Sequence, residues 1–336
     1  MGDTFDYLHS QLQFSPQILY SSTAFMQFTG AVFRQVFQSD LLACIPFMLL
    51  SFYSIYYAVD QLDLYKYSTY IIILFSLPNF AVWTSILGKE AVGCFFSAVI
   101  AVMLIKKLNG PYKFKLIDYL ALYLCAVFKP QYLLFILQAL VFITLTNRFN
   151  DKKYLPLFLG VIIVILNVAV IYVARDLIDV LAKGMAVNFK SNIANLAQST
   201  RSEEPWLRPY GFFHSMLYGM FISFFGPTIP EMLRKPAQFM AGCESFIMIV
   251  CFILLLWPKL KYNIRFFRFN PTVFITYFIV FVGILFVHYP FGFLNPGSAI
   301  RYRANFYALF VLLLLHLFTK KSETEKQELN QLLQYQ

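Results

Sequence analysis

The chain has 336 residues, 59% of them hydrophobic and 13% charged, with a formal net charge of +10 and a mean hydropathy of +0.64. A typical soluble domain carries about 25% charged residues and cannot hide this much apolar surface in one core, which excludes soluble, disordered, fibrous and coiled-coil readings. Long apolar runs, in place of short alternating segments, also exclude an outer-membrane barrel and leave an all-α, polytopic integral membrane protein.

Nearly uncharged runs predict nine spans, at 41–59, 67–87, 91–105, 116–128, 131–146, 154–174, 239–257, 271–293 and 304–318. A crossing needs about 20 residues, so the runs at 91–105, 116–128, 131–146 and 304–318 are short and must borrow flanking residues. The stretch 212–228 is apolar but broken by Gly and Pro, and reads as a re-entrant or interfacial helix. Lysine-rich connections at 106–115, 147–153 and 258–270, with the tail lysines, predict cytoplasmic loops. These agree with one another only if 212–228 does not cross. The expected result is nine crossings, N-terminus outside and C-terminus inside, with 175–238 as a long periplasmic loop. Residues 1–318 then form one transmembrane domain and 319–336 a short cytoplasmic tail. The chain opens on polar Met-Gly-Asp-Thr-Phe-Asp, which is not a signal peptide. Either this stretch lies outside or the start lies further upstream.

The five cysteines sit inside apolar runs without a CxxC pair and read as small core residues. The four histidines are scattered, without metal-ligand spacing. No metal or cofactor is expected. In a membrane protein a +10 charge reflects anchoring residues and an anionic ligand, so no nucleic-acid partner is expected.

The outer face of this topology collects unusual groups. Lys89 and Lys129 each occupy a very short connection between apolar runs, where a charge is costly and is either a snorkelling anchor or functional. Arg201 and Arg208 lie in the long loop. Arg301 and Arg303 flank Tyr302 before the last span and read as interfacial anchors or as phosphate ligands, since a guanidinium grips phosphate oxygens with two hydrogen bonds. Asp3 and Asp6 are three residues apart and can share a helix face, either as a solvated start or as a general base. Glu244 lies one turn into its span, suited equally to an ion pair or to catalysis. Glu90 follows Lys89 directly and is expected to orient it, Glu231 to cap a short helix, and Asp176 and Asp179 to be solvated.

Several segments, in this order, resemble the small multi-spanning O-antigen and capsular polysaccharide polymerases, which look related to the C-type glycosyltransferases that use lipid-linked sugars. They are Gly2-Asp3-Thr4-Phe5-Asp6-Tyr7, Trp83 to Gly88-Lys89-Glu90, Phe128-Lys129-Pro130, Phe225-Gly226-Pro227 to Glu231 followed by Glu244, and Asn295 to Arg301-Tyr302-Arg303. The family often has Arg at the position of Lys129 and a span before the Gly-Asp motif, and this chain has neither. The resemblance implies a bacterial inner-membrane enzyme that moves a glycan from undecaprenyl pyrophosphate to a second lipid-linked repeat unit. The resemblance places an acid after the Gly, so Asp3 is the expected base, then Asp6, then Glu244. Lys89, Lys129, Arg201, Arg208, Arg301, Tyr302 and Arg303 would hold the pyrophosphate. Implied partners are the lipid-linked oligosaccharide, the bilayer, and a chain-length regulator and flippase of the same pathway. Three other readings compete: a C-type glycosyltransferase adding one sugar from a polyprenyl phosphate, a lipid-glycan flippase or transporter, and a non-catalytic membrane subunit of a glycan assembly complex.

Overall fold

The computed structural model describes residues 3–149, 152, 154–193, 201, 204–266 and 270–319. Among the described residues the chain is all-helical. Two short N-terminal helices, α1 (Asp3–Leu8) and α2 (Ser22–Phe37), precede α3 (Asp40–Gln61). Then come α4 (Ser68–Phe75), α5 (Pro78–Ser85), α6 (Lys89–Asn109), α7 (Leu116–Phe128), α8 (Pro130–Arg148) and α9 (Leu155–Val173). The segment expected as one long loop holds α10 (Arg175–Ile193), α11 (Glu204–Leu207), α12 (Gly211–His214), α13 (Met216–Phe225) and α14 (Ile229–Met232). The last three helices are α15 (Pro236–Phe266), α16 (Pro271–Leu294) and α17 (Pro296–Thr319).

Seven of these helices are long and apolar enough to cross a membrane: α3, α6, α8, α9, α15, α16 and α17. The expected span 67–87 is broken. Its two halves meet at 84°, because Pro78 has no N–H for a continuous helix and holds Leu77 in an extended conformation (ψ 127°). The run 116–128 forms α7 alone, whose 13 residues rise only about 20 Å. The spans expected to be short at 91–105 and 304–318 are longer, because the charged residues at their ends are helical and paired instead of solvated. Residues 212–228 form the short helices α12 and α13, ending before the Gly226–Pro227 bond, so no single helix crosses there. The tail beyond 319 lies outside the described residues, as do Lys153, Arg268 and Glu203.

Helix α6 is the centre of the bundle, with 83% of its apolar window buried, while α9 on the periphery is 6% buried. An apolar helix buried all round belongs in the core, and one exposed all round faces lipid. Side-chain contacts give the helices their direction. At one end Lys106 donates to Gln61, Asn147 to the carbonyl of Lys107, and His316 pairs with Asn109. At the other end the starts of α3, α6 and α17 meet the end of α7. Here α2 packs Phe25 on Phe128 and Phe33 on Phe47, and the carbonyl of Leu19 accepts from Tyr123. The pair α1–α2 therefore lies across this second end.

Candidate functional site

Local helix chemistry places the cations. Gly88 precedes the first turn of α6, so Lys89 and Glu90 sit at its N-terminus. Lys129 closes α7 directly before Pro130 opens α8, a position where proline's missing N–H costs nothing. Arg301 and Tyr302 lie in the second turn of α17. The fold brings these three helix ends together.

Arg301 is the hub. Its Nε donates to Glu90 Oε1 at 2.6 Å, and its Nη2 donates to Asp3 Oδ2 at 3.0 Å. Nη1 has no acceptor among the described residues. The guanidinium lies 5.1 Å from the ring centre of Trp83 and 5.8 Å from that of Tyr302. The same Tyr302 ring carries Lys129, whose Nζ is 4.7 Å from its centre and 5.8 Å from that of Tyr132. Lys129 is half-buried and makes no ion pair among the described residues, and its charged neighbours are Glu90, Lys89 and Arg301. Lys89 donates to Thr23 of α2 at 2.8 Å. Glu90 is thus directed to Arg301, not to Lys89 as the sequence suggested, because its Oε1 meets a guanidinium from a different helix.

Glu90 is 1% exposed, and its Oε2 has no partner among the described residues. That oxygen lies 2.8 Å from where a Cβ on Gly88 would stand, so a side chain there would turn this carboxylate. A buried carboxylate is sustained here by the cations around it. The cluster holds three cations, Lys89, Lys129 and Arg301, against two carboxylates, Glu90 and Asp3.

The other expected residues lie elsewhere. Arg303 and Glu244 are 4% and 2% exposed. Arg303 Nη1 donates to the Phe224 carbonyl and to Ser245 Oγ, and its Nη2 stands 3.8 Å from Glu244. Glu244 accepts from the Asn79 backbone N–H at 2.7 Å and from Asn79 Nδ2 at 2.8 Å. It therefore satisfies an open N–H in the first turn of α5 and ties the broken span to α15. Arg201 makes a two-pronged pair with Glu231 and also donates to the carbonyls of Gly292 and Phe293. All three of its nitrogens are engaged in joining segments, and Glu231 accepts from the Thr228 N–H as the expected helix cap. Burial pushes the Glu231 carboxyl up, but the hydrogen bonds from Arg201 and Thr228 outweigh this and hold it below its ordinary value. Asp179, expected to be solvated, is 8% exposed and accepts from Lys183. Arg208 and Asp6 are exposed, and neither is among the contacts of Arg301.

Sequence reasoning assigned no role in the site to Trp83, Tyr132 or Thr23. Trp83 sits six residues before Lys89 in a segment with a family resemblance, which was a usable signal. Thr23 and Tyr132 offered none. A cavity of about 390 Å³ lies at the opposite, lysine-rich end, lined in part by Gln61, Asp63, Lys106, Asn109 and His316. Lys106 there is paired with Gln61, and His316 with Tyr277 and Asn109.

Compared with protein-family models, curated proteins and solved structures, the chain matches none.

Proposed function

We propose that this protein is a polysaccharide polymerase of the bacterial inner membrane, moving a glycan from undecaprenyl pyrophosphate to a second lipid-linked repeat unit. The observation that carries this reading is the meeting of Lys89, Lys129 and Arg301 at one end of the bundle. There Lys129 Nζ and Arg301 Nη1 have no acceptor among the described residues. Transfer breaks the bond from the sugar C1 to the pyrophosphate, so negative charge grows on the leaving group, and fixed cations stabilise it. Trp83, beside Arg301, would stack on a sugar ring.

The acceptor hydroxyl must lose its proton to a base. Glu244 is buried with both oxygens accepting from Asn79, and Asp3 is engaged by Arg301. These contacts favour Asp6, which is exposed one turn along α1. Arg303 and Arg201 then act as structural clamps, not as pyrophosphate ligands, and Arg208 as an outer-loop charge.

In the proposed topology the bent pair α4–α5 and the short α7 complete nine crossings with the seven long helices. The cation site and residues 175–235 face outward, and the lysine-rich ends face the cytoplasm. The proposed partners are the bilayer, the lipid-linked oligosaccharide, and a chain-length regulator and flippase of the same pathway. Purified protein in lipid nanodiscs, given the lipid-linked repeat unit extracted from the producing cells, should form a ladder of lengthening glycans. Lys129→Met, which removes a cation without stranding a carboxylate, should shorten that ladder. Single-sugar addition, transport without synthesis, or an unchanged substrate would each overturn the proposal.

A further inference from the structure

The contact between Asp3 and Arg301 has an unusual form. Arg301 is 17% exposed and its other partner, Glu90, is 1% exposed, while the Asp3 side chain is 51% exposed. One side of the guanidinium is thus held by a buried carboxylate of α6, and the other by a half-open carboxylate on a six-residue helix. That helix packs mainly on α2, and His9, directly after it, reaches Asp40 at the start of α3. A Cβ on Gly30 would stand 2.4 Å from the Tyr7 carbonyl, and Ser10 bonds the carbonyls of both Tyr7 and Gln27. In turn α2 reaches the site through Thr23, which accepts from Lys89.

Resting on the polymerase reading, we propose that Asp3 is a built-in competitor for the anion site, carried on α1 as a lid, and that it selects a pyrophosphate-linked over a monophosphate-linked ligand. Charge makes the selection. With Asp3 seated, three cations face two carboxylates and the cluster carries one net positive charge. With Asp3 withdrawn it carries two. A sugar linked to a lipid through pyrophosphate bears two negative charges and neutralises that site. The corresponding phosphodiester bears one, which merely replaces the charge of Asp3 while the lid stands open. Oppositely charged groups at these separations interact strongly where water is partly excluded, so the doubly charged ligand displaces Asp3 and the singly charged one does not.

Two synthetic probes decide it: farnesyl-diphospho-glucose and farnesyl-phospho-glucose, titrated into the full-length protein in nanodiscs, with Kd read for each. The wild type should prefer the diphospho probe about tenfold or more. Asp3→Asn should bind both probes more tightly, the phospho probe by about fivefold, the scale of a partly exposed ion pair, so that the preference narrows. In a Glu90→Gln/Arg301→Gln background, Asp3→Asn should change neither Kd. Unchanged or weaker binding by Asp3→Asn overturns the competitor, as does loss of the glycan ladder with unchanged Kd, which would make Asp3 the base. If Lys129→Met and Glu90→Gln/Arg301→Gln both bind like wild type, it is the anion-site reading itself that fails.

Discussion

Arg301 and Glu90 stand 211 residues apart in the chain and 2.6 Å apart in space. Their pairing joins α17 to the central helix α6 and sets the plane of the guanidinium against Trp83 and Tyr302. An ion pair this deep is stabilising only while both partners are present, so fold and site are coupled here.

Removing one partner should therefore cost more than removing both charges. Glu90→Ala leaves Arg301 with the half-exposed Asp3 as its remaining carboxylate partner and should lose about 1–3 kcal/mol of stability, seen as a lowered thermal midpoint in detergent. Glu90→Gln/Arg301→Gln should recover much of that midpoint and still fail to lengthen glycans, since one lost transition-state donor is worth about 10²–10³ in rate. Gly88→Ala should cost less than Glu90→Ala, because its methyl group meets the end of the Glu90 side chain, which can turn aside.

The two arginines of the Arg301-Tyr302-Arg303 run should part company. Arg303 sits beneath the site among Phe224, Ser245 and Glu244. Arg303→Ala should cut the yield of folded protein, by about 3–5 kcal/mol in stability, and Arg303→Lys should rescue poorly, because one ammonium cannot stand both at Nη1, which holds Phe224 and Ser245, and at Nη2, beside Glu244. Folded Arg303→Ala protein at wild-type yield would remove its structural role.

The lid should be separable from the site. Gly30→Val forces a side chain onto the Tyr7 carbonyl and should release α1 from α2. Its affinities for the two farnesyl probes should shift in the same direction as those of Asp3→Asn, with a midpoint loss smaller than that of Arg303→Ala.

Acid should loosen the segment around α14 before the bundle. Glu231 titrates below its ordinary value of 4.5 in the folded protein, so its pairing contributes fully above that pH and is lost as pH falls through the lower folded value. Limited proteolysis of the 226–235 segment should accelerate below about pH 4.5. Arg201→Ala should be cut readily at neutral pH as well.

Topology is open to labelling in a background without the five cysteines. An impermeant maleimide added from the periplasm should modify Arg208→Cys and leave Asn109→Cys untouched. The reverse pattern would invert the molecule.

The sequence by itself determined the class of protein and most helix positions, because lipid solvation acts on each segment separately: a run either is or is not apolar enough to cross. It also marked Lys89, Lys129, Arg301 and Asp3, since charge beside an apolar run is conspicuous in one dimension. It did not show the break at Pro78, which hydropathy averages away, nor that Arg303 and Glu244 are buried while Arg301 is half-open. Arg301 and Arg303 are two residues apart on one helix, so they point to different faces. Which face meets α6 and which meets α13 and α15 is decided by how the helices pack, and packing depends on contacts between residues hundreds of positions apart. The partners of these charges, Glu90 for one arginine and Glu244 for the other, were therefore left to the tertiary structure.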